Sequence, residues 1–261
     1  MQDVQSSTGT SRFAIESVGV TDLNYPILVL DAESGEQQTT VAAWRMGVAL
    51  PASQRGTHMS RFVGALAERA EAAMDLTEHF RFASAITSRL AATQADLQTS
   101  FTWFRRVQAP VSGLTALLEC QVRFISMTGA NPSKCLVISA PAKALCPCSK
   151  AISERGAHSQ RTDIEVRLTF PPLAKVPAIN HVVSMLEASA SSPVYPLLKR
   201  EDEKYVTEAA YDHAMFVEDI VRAAADRLVA LPDLAAFVVQ AVNHESIHAH
   251  DCYARITWHK D

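Results

Sequence analysis

Apolar and polar positions alternate along Phe13, Ile15, Val18 and Val20. The stretches 25–30 and 39–50, rich in branched residues, continue that texture around a polar break at 31–35, which predicts strands. From Ser60 the spacing becomes helical and runs to about Ala73. A second helix is predicted from about Thr77 to Gln94, with Phe80, Ala83, Ile86 and Leu90 in register and Thr77 as N-cap. Alternation returns from Thr99 to Arg105, and a turn at Pro110–Gly113 leads into 114–127, the pattern of a hairpin. A short buried strand is expected at Cys135–Ala140.

The second half repeats the order loosely. A strand at Arg161–Phe170 places Ile164, Val166, Leu168 and Phe170 on one face, and Pro171-Pro172 ends it. Helices follow at Val176–Ala190 and Tyr205–Leu231, separated by a break at 191–196. Strands at Leu234–Val242 and Ala249–Trp258 close the chain. Paired helices between antiparallel strands predict an α+β class with helices layered on one face of each sheet. A duplicated unit is indicated by element order alone, because no residue-level repeat is visible.

Composition narrows the class. At a typical ~150 residues per domain, the 261 residues allow one large domain or two small ones. With 48% hydrophobic and 20% charged residues the chain can bury a proper core. The net charge of −4 argues against non-specific nucleic-acid binding and a polybasic membrane surface, though not against a local phosphate pocket. Five cysteines are too few and too odd for a disulfide framework, so reduced thiols in a cytoplasmic protein are expected. Residues 1–12 read as a disordered polar tail without a secretory core. No apolar stretch approaches the ~20 residues that span a bilayer.

Four segments carry chemistry. Cys146-Pro147-Cys148-Ser149-Lys150 is followed closely by His158 and Arg161. Thiolate and imidazole are the usual zinc ligands. A helix starting near Cys148 would put that sulfur at its N-terminus beside Lys150, which lowers a thiol pKa; small buried cysteines and a loop histidine are the plainer alternative. The run His244-Glu245-Ser246-Ile247-His248 matches the zinc-protease spacing literally, but its flanks are strand-like and a helix is required. In strand geometry His248 and His250 share a face, which leaves a general acid or base, or an ordinary polar hairpin end. The run Lys199–Lys204, with Glu218 and Asp219 further on, is acidic and basic together and reads first as a solvated helix start. Arg55–Arg61 precedes a helix, where His58, Ser60 and Arg61 suit an anion or Ser60 simply caps.

Together these segments resemble GTP cyclohydrolase of type IB, the prokaryotic folate-pathway enzyme. The resemblance rests on Gly56–Phe62 (GTHMSRF), Cys146–Lys150 (CPCSK), Gly156–Arg161 (GAHSQR), Tyr195–Arg200 (YPLLKR) with Asp202 and Glu203, Phe216–Asp219 (FVED) and Glu245–His248 (ESIH). Ser159 stands where asparagine is expected and Cys252 where a small residue is usual. The resemblance implies two tandem tunnelling-fold (T-fold) units, 13–140 and 141–261, and a homotetramer with sites between subunits. It implies a divalent metal, Zn2+ foremost with Mn2+ or Fe2+ as alternatives, on residues matching Cys146, His158 and Glu203. Glu218 matches the carboxylate that grips the guanine edge, and Cys146, Cys148 and His248 match residues with catalytic roles. GTP would be converted to formate and 7,8-dihydroneopterin triphosphate, its phosphates met by cations among His58, Arg61, Lys150, Arg155, Arg161, Lys199 and Arg200, with Ser60 beside them. An archaeal-type relative releasing a cyclic phosphate, a T-fold nitrile reductase and a non-catalytic purine- or pterin-binding module are the competing readings.

Overall fold

A computed structural model describes residue 9, residues 11–69 and residues 71–260. Most of the expected tail, residues 1–8 and 10, lies outside the described residues. In chain order the elements are β1 (Ile15–Leu30), β2 (Gln37–Leu50), α1 (Met59–Ala67), β3 (Ala73–Met74), α2 (Leu76–Arg89), β4 (Ala95–Gln108), β5 (Thr115–Met127) and β6 (Ser133–Leu145). Then come α3 (Pro147–Ile152), β7 (Ser159–Phe170), α4 (Ile179–Glu187), β8 (Ser192–Pro193), α5 (Arg200–Asp212), α6 (Val217–Leu228), β9 (Ala236–Asn243) and β10 (Cys252–His259). The fold is mixed α+β as predicted, with antiparallel strands and six helices among the described residues. Among these the helices are short and amphipathic, and none is long and apolar enough to cross a membrane.

The chain divides into two compact units, and not at a single cut. The first takes the residues up to Thr102 and regains Val122–Leu136 and Thr169–Val176; the second holds Trp103–Gln121, Val137–Leu168 and Pro177 onward. Within the first, β4, β2, β1 and β3 are hydrogen-bonded in that order, β1–β2 and β2–β4 antiparallel and β1–β3 parallel. Within the second, the order is β10, β9, β7, β6, with β8 a short partner of β6.

Period-two burial explains β7. Gln160, Thr162, Ile164, Val166, Leu168 and Phe170 all point inward, and the last four are wholly buried. Each such apolar side chain contributes about 1.5–3 kcal/mol by leaving water. Helix α6 buries Val217, Ile220, Val221, Ala224 and Leu228 along one stripe.

Several boundaries differ from expectation for local reasons. Helix α1 ends at Ala67, and His58 rather than Ser60 occupies its N-cap. Asp75, not Thr77, caps α2, because its carboxylate accepts the Glu78 N–H at 2.7 Å. The Thr77 hydroxyl instead accepts a hydrogen bond from the buried Lys134 ammonium at 2.9 Å. The single helix expected over 205–231 is two, broken at His213, and Phe216 is the N-cap of the second. Its break is set by Asp219, whose carboxylate accepts the Phe216 N–H at 3.1 Å and starts a new helix.

His79 lies fully buried in the first unit, with Ser126 Oγ 2.7 Å from Nδ1 and Thr99 Oγ1 2.8 Å from Nε2. Burial pushes its pKa down to about 3, so the folded state holds the ring neutral while the unfolded chain protonates it near 6.5. The stabilisation is therefore complete above the unfolded value and is lost as pH falls from there towards 3, at about 1.4 kcal/mol per pH unit. His79→Gln is expected to flatten this acid limb in urea unfolding measured at stepped pH. A variant with the parent slope would show that His79 is not its source.

Candidate functional site

In the second unit β6 runs into α3, and β7 returns beside it. Proline is preorganised for the first helical position, so α3 begins at Pro147 and Cys146 becomes its N-cap. The expected helix start near Cys148 is thus moved back, and it is the Cys146 sulfur that accepts a helix N–H, from Ser149 at 3.5 Å. Cys148 stands exposed in the first turn. Gly156, at φ +78, provides the left-handed turn that brings the chain back towards β7.

Cys146 and His158 are tied to each other. The Cys146 N–H donates to the His158 carbonyl at 3.1 Å. Between them Ser149 donates its hydroxyl to the Cys146 carbonyl at 3.1 Å and accepts the His158 N–H at 3.2 Å. The His158 ring is held in turn. Its Nδ1 lies 3.0 Å from Gln160 Oε1 and 3.4 Å from Ser246 Oγ. Those contacts turn Nε2 into the nitrogen available for a ligand bond.

Glu203 belongs to α5, whose start is fixed by its neighbour. Asp202 is wholly buried and accepts the backbone N–H groups of Val111 and Ser112 at 2.8 Å each, the Ser112 hydroxyl at 2.6 Å and the Lys199 N–H at 2.9 Å. Burial opposes its charge, but these hydrogen bonds outweigh it and hold the carboxyl below the usual carboxylate range. Asp202 therefore pins the helix to the β4–β5 turn, and Glu203, one residue on, faces a different side and is exposed. Among the described residues no group of three His, Cys, Asp or Glu side chains is gathered to hold a metal ion. Two of the three expected ligands are thus locally arranged, and the carboxylate is not assembled with them into a ready cluster.

The segment 244–251 is neither helix nor strand. This removes the helical zinc-protease geometry and also the strand-face argument for His248 and His250, which instead stack their rings at 5.2 Å in an exposed loop. The loop is clipped at its base by His244, whose Nδ1 meets Asp251 Oδ2 at 3.1 Å and whose Nε2 meets Asp163 Oδ2 at 2.8 Å. Hydrogen bonds to Asp163 and then Asp251 raise its pKa, because both nitrogens must carry hydrogens to serve two carboxylates. Glu218 is exposed in the first turn of α6. The Cys252 thiol registers both Glu245 and Glu218: burial, then the charges of those two carboxylates, pushes it up.

The cations expected for a triphosphate are placed unequally. Arg161, Lys199 and Arg200 are exposed in the second unit. Lys150 is engaged internally, donating to the Tyr211 carbonyl with its ammonium 4.3 Å from that residue's ring centroid. His58, Ser60 and Arg61 lie at the α1 start in the first unit. Sequence reasoning gave Ser149, Gln160 and Asp202 no role of their own. For Gln160 a signal existed, since His158 and Gln160 are two residues apart at a strand start and so share a face.

The family profile described as type I GTP cyclohydrolase folE2 matches residues 1–254. GTP cyclohydrolase FolE2 of Bordetella pertussis is 44% identical over 255 residues, covering 97% of this chain and 95% of the relative. The protein of the same name from Syntrophotalea carbinolica is 44% identical over 261 residues, covering 98% and 94%. Among solved structures, the uricase of Arthrobacter globiformis superposes with a TM-score of 0.57 at 8% identity, covering 94% of each chain. A uricase from Bacillus fastidious gives 0.51 at 8% identity with the same coverage. At that identity the uricases show a shared fold alone. The match along nearly the whole chain carries the assignment: this protein belongs to the type I GTP cyclohydrolase folE2 family.

Proposed function

We propose that this protein is a GTP cyclohydrolase, hydrolysing GTP to formate and 7,8-dihydroneopterin triphosphate at the start of tetrahydrofolate synthesis. The observation that carries the reading is the Ser149 knot, which presets Cys146 and His158 side by side in a family defined by this activity. A thiolate and an imidazole are the donor chemistry of a catalytic zinc site. Cys146, His158 and Glu203 would hold the divalent cation, Zn2+ foremost with Mn2+ or Fe2+ as alternatives. Bound there, it would supply Lewis-acid activation of the water that attacks C8 of guanine.

The chain's own groups account for the remainder. Glu218 is exposed at the α6 start and has the two-oxygen geometry that accepts the N1–H and 2-amino group of guanine together. His248, exposed on its loop, can exchange protons with the ring nitrogens as the five-membered ring opens, since an imidazole both donates and accepts a proton. Cys148 is exposed beside Cys146 in sequence and is assigned to positioning or assistance at C8. In the second unit Arg161, Lys199 and Arg200 are the candidates to meet phosphate, with Lys150 once released from Tyr211; in the first unit the candidates are His58, Ser60 and Arg61.

Two tandem tunnelling-fold units, a homotetramer and sites shared between subunits complete the proposal. Five free thiols fit a cytoplasmic location.

Incubation with GTP and Zn2+ or Mn2+ is expected to yield a fluorescent pterin after oxidation, with an open triphosphate. A cyclic phosphate would transfer the protein to the archaeal-type reaction, and GTP bound but unchanged would leave a binding module. For the ligands, Cys146→Ala is expected to lose nearly all bound metal by elemental analysis; full metal content would overturn the site.

A further inference from the structure

We propose that Gln160 is a positioning residue that fixes the tautomer of His158, and that the Glu245 carboxylate in turn fixes Gln160, so that the ring presents Nε2 to a divalent cation before one arrives. The inference deepens the ligand assignment above and rests on it.

A glutamine amide has one end that only accepts and one that only donates. Gln160 Nε2 donates to Glu245 Oε1 at 3.4 Å, and its Oε1 lies 3.0 Å from His158 Nδ1. A carboxylate only accepts, so the end facing Glu245 is the amino group and the end facing His158 is the carbonyl. The carbonyl cannot donate, so Nδ1 carries the hydrogen and the lone pair is on Nε2. Turning the amide over would set its oxygen against the carboxylate and its amino group against Nδ1, which loses one hydrogen bond and adds a repulsion. Ser246 Oγ, 3.4 Å from the same nitrogen, is compatible because a hydroxyl can accept.

The surroundings keep this arrangement in force. Gln160 is buried on the inward face of β7. The Glu245 side chain is 9% exposed, and its Oε2 lies 3.9 Å from His158 Nδ1. That oxygen is buried, and the carboxylate faces both the His158 ring and the Cys252 thiol, which it pushes up. A carboxylate placed behind the N–H is the pattern by which ligating histidines are oriented in metal sites. The Glu245 backbone N–H donates to Asp251 Oδ1 at 3.1 Å, and the His244 clip holds the same loop, so the carboxylate is itself anchored.

Gln160→Met keeps the volume and removes both ends of the relay. It is expected to weaken Zn2+ binding about 10–100-fold in chelator competition, and to replace the single-tautomer 15N shifts of His158 in the metal-free protein with those of a mixture. Glu245→Gln, nearly isosteric, releases the amide and should give the same mixture, a readout that a purely structural role would not move. Unchanged affinity and unchanged ring shifts in both variants would overturn the proposal. Cys146→Ala measured alongside separates the two levels. If it loses metal while Gln160→Met does not, positioning alone falls; if both keep full metal, the ligand assignment falls and the relay with it.

Discussion

His248→Ala is expected to bind GTP and metal like the parent and to release formate about 10²–10⁴-fold more slowly. The magnitude is that of a lost proton-transfer group, and the separation of binding from turnover follows from position. His248 is exposed in the loop 244–251, with its ring stacked on His250 and no part in the core. Surface substitutions of this kind usually stay within about 0.5 kcal/mol in stability, so a collapse of the fold would not explain the lost activity. The loop itself is held by His244 between Asp163 and Asp251 and by Glu245 on Gln160, none of which involves the His248 ring. Isothermal titration with GTP, elemental analysis and formate release on one preparation check all three parts. Undiminished formate release would remove His248 from the mechanism.

The largest stability effect is expected at Arg105. Its guanidinium pairs with Glu187 at 2.7 Å, with side chains only 14% and 9% exposed. Burial raises the Glu187 pKa and Arg105 opposes the rise. Near them burial pushes the Cys120 thiol up to about 12, which leaves that cysteine an inert packing residue. Arg105→Leu strands the Glu187 charge, a loss of about 3–5 kcal/mol, or roughly 6–20 °C in Tm for a chain of this size. The sign with pH is fixed. A carboxyl whose folded pKa is raised binds more protons in the folded state, so its contribution is present below the unfolded value of 4.5 and is lost as pH rises through the folded value. Without Arg105 that rise is steeper, and the variant's deficit should be larger at pH 7 than near pH 4.5. Thermal unfolding at both pH values checks this; an equal deficit would mean that lost packing dominates.

Alternation and helical spacing carried the core directly. The inward face of β7 is written as period two and the stripe Ile220, Ala224 and Leu228 as period 3.6, and both are observed, whereas Phe216, expected in the same register, is the exposed N-cap of α6. Element ends were less legible, because they depend on single polar side chains. Asp75 outcompetes Thr77 as a cap by reaching Glu78, and Asp219 starts α6 where periodicity continues without a break. Charge runs misled in a different way. Asp202 sits in a stretch that reads as solvated, yet it is wholly buried because the β4–β5 turn, about ninety residues earlier, brings it backbone donors. Such long-range satisfaction leaves no local pattern. The site was legible as motifs, since Cys146, His158, Glu218 and His248 are reactive types in unusual runs. What was hidden is the support behind them: Ser149 and Gln160 are neutral residues whose importance lies in which atoms they face.

The central claim, that this chain opens the guanine ring of GTP, is tested most directly by formate. Purified protein supplied with GTP and Zn2+ or Mn2+ should release formate equimolar with the GTP consumed, and chelation should stop it. GTP consumed without formate, or recovered intact at saturating protein and metal, would contradict the account.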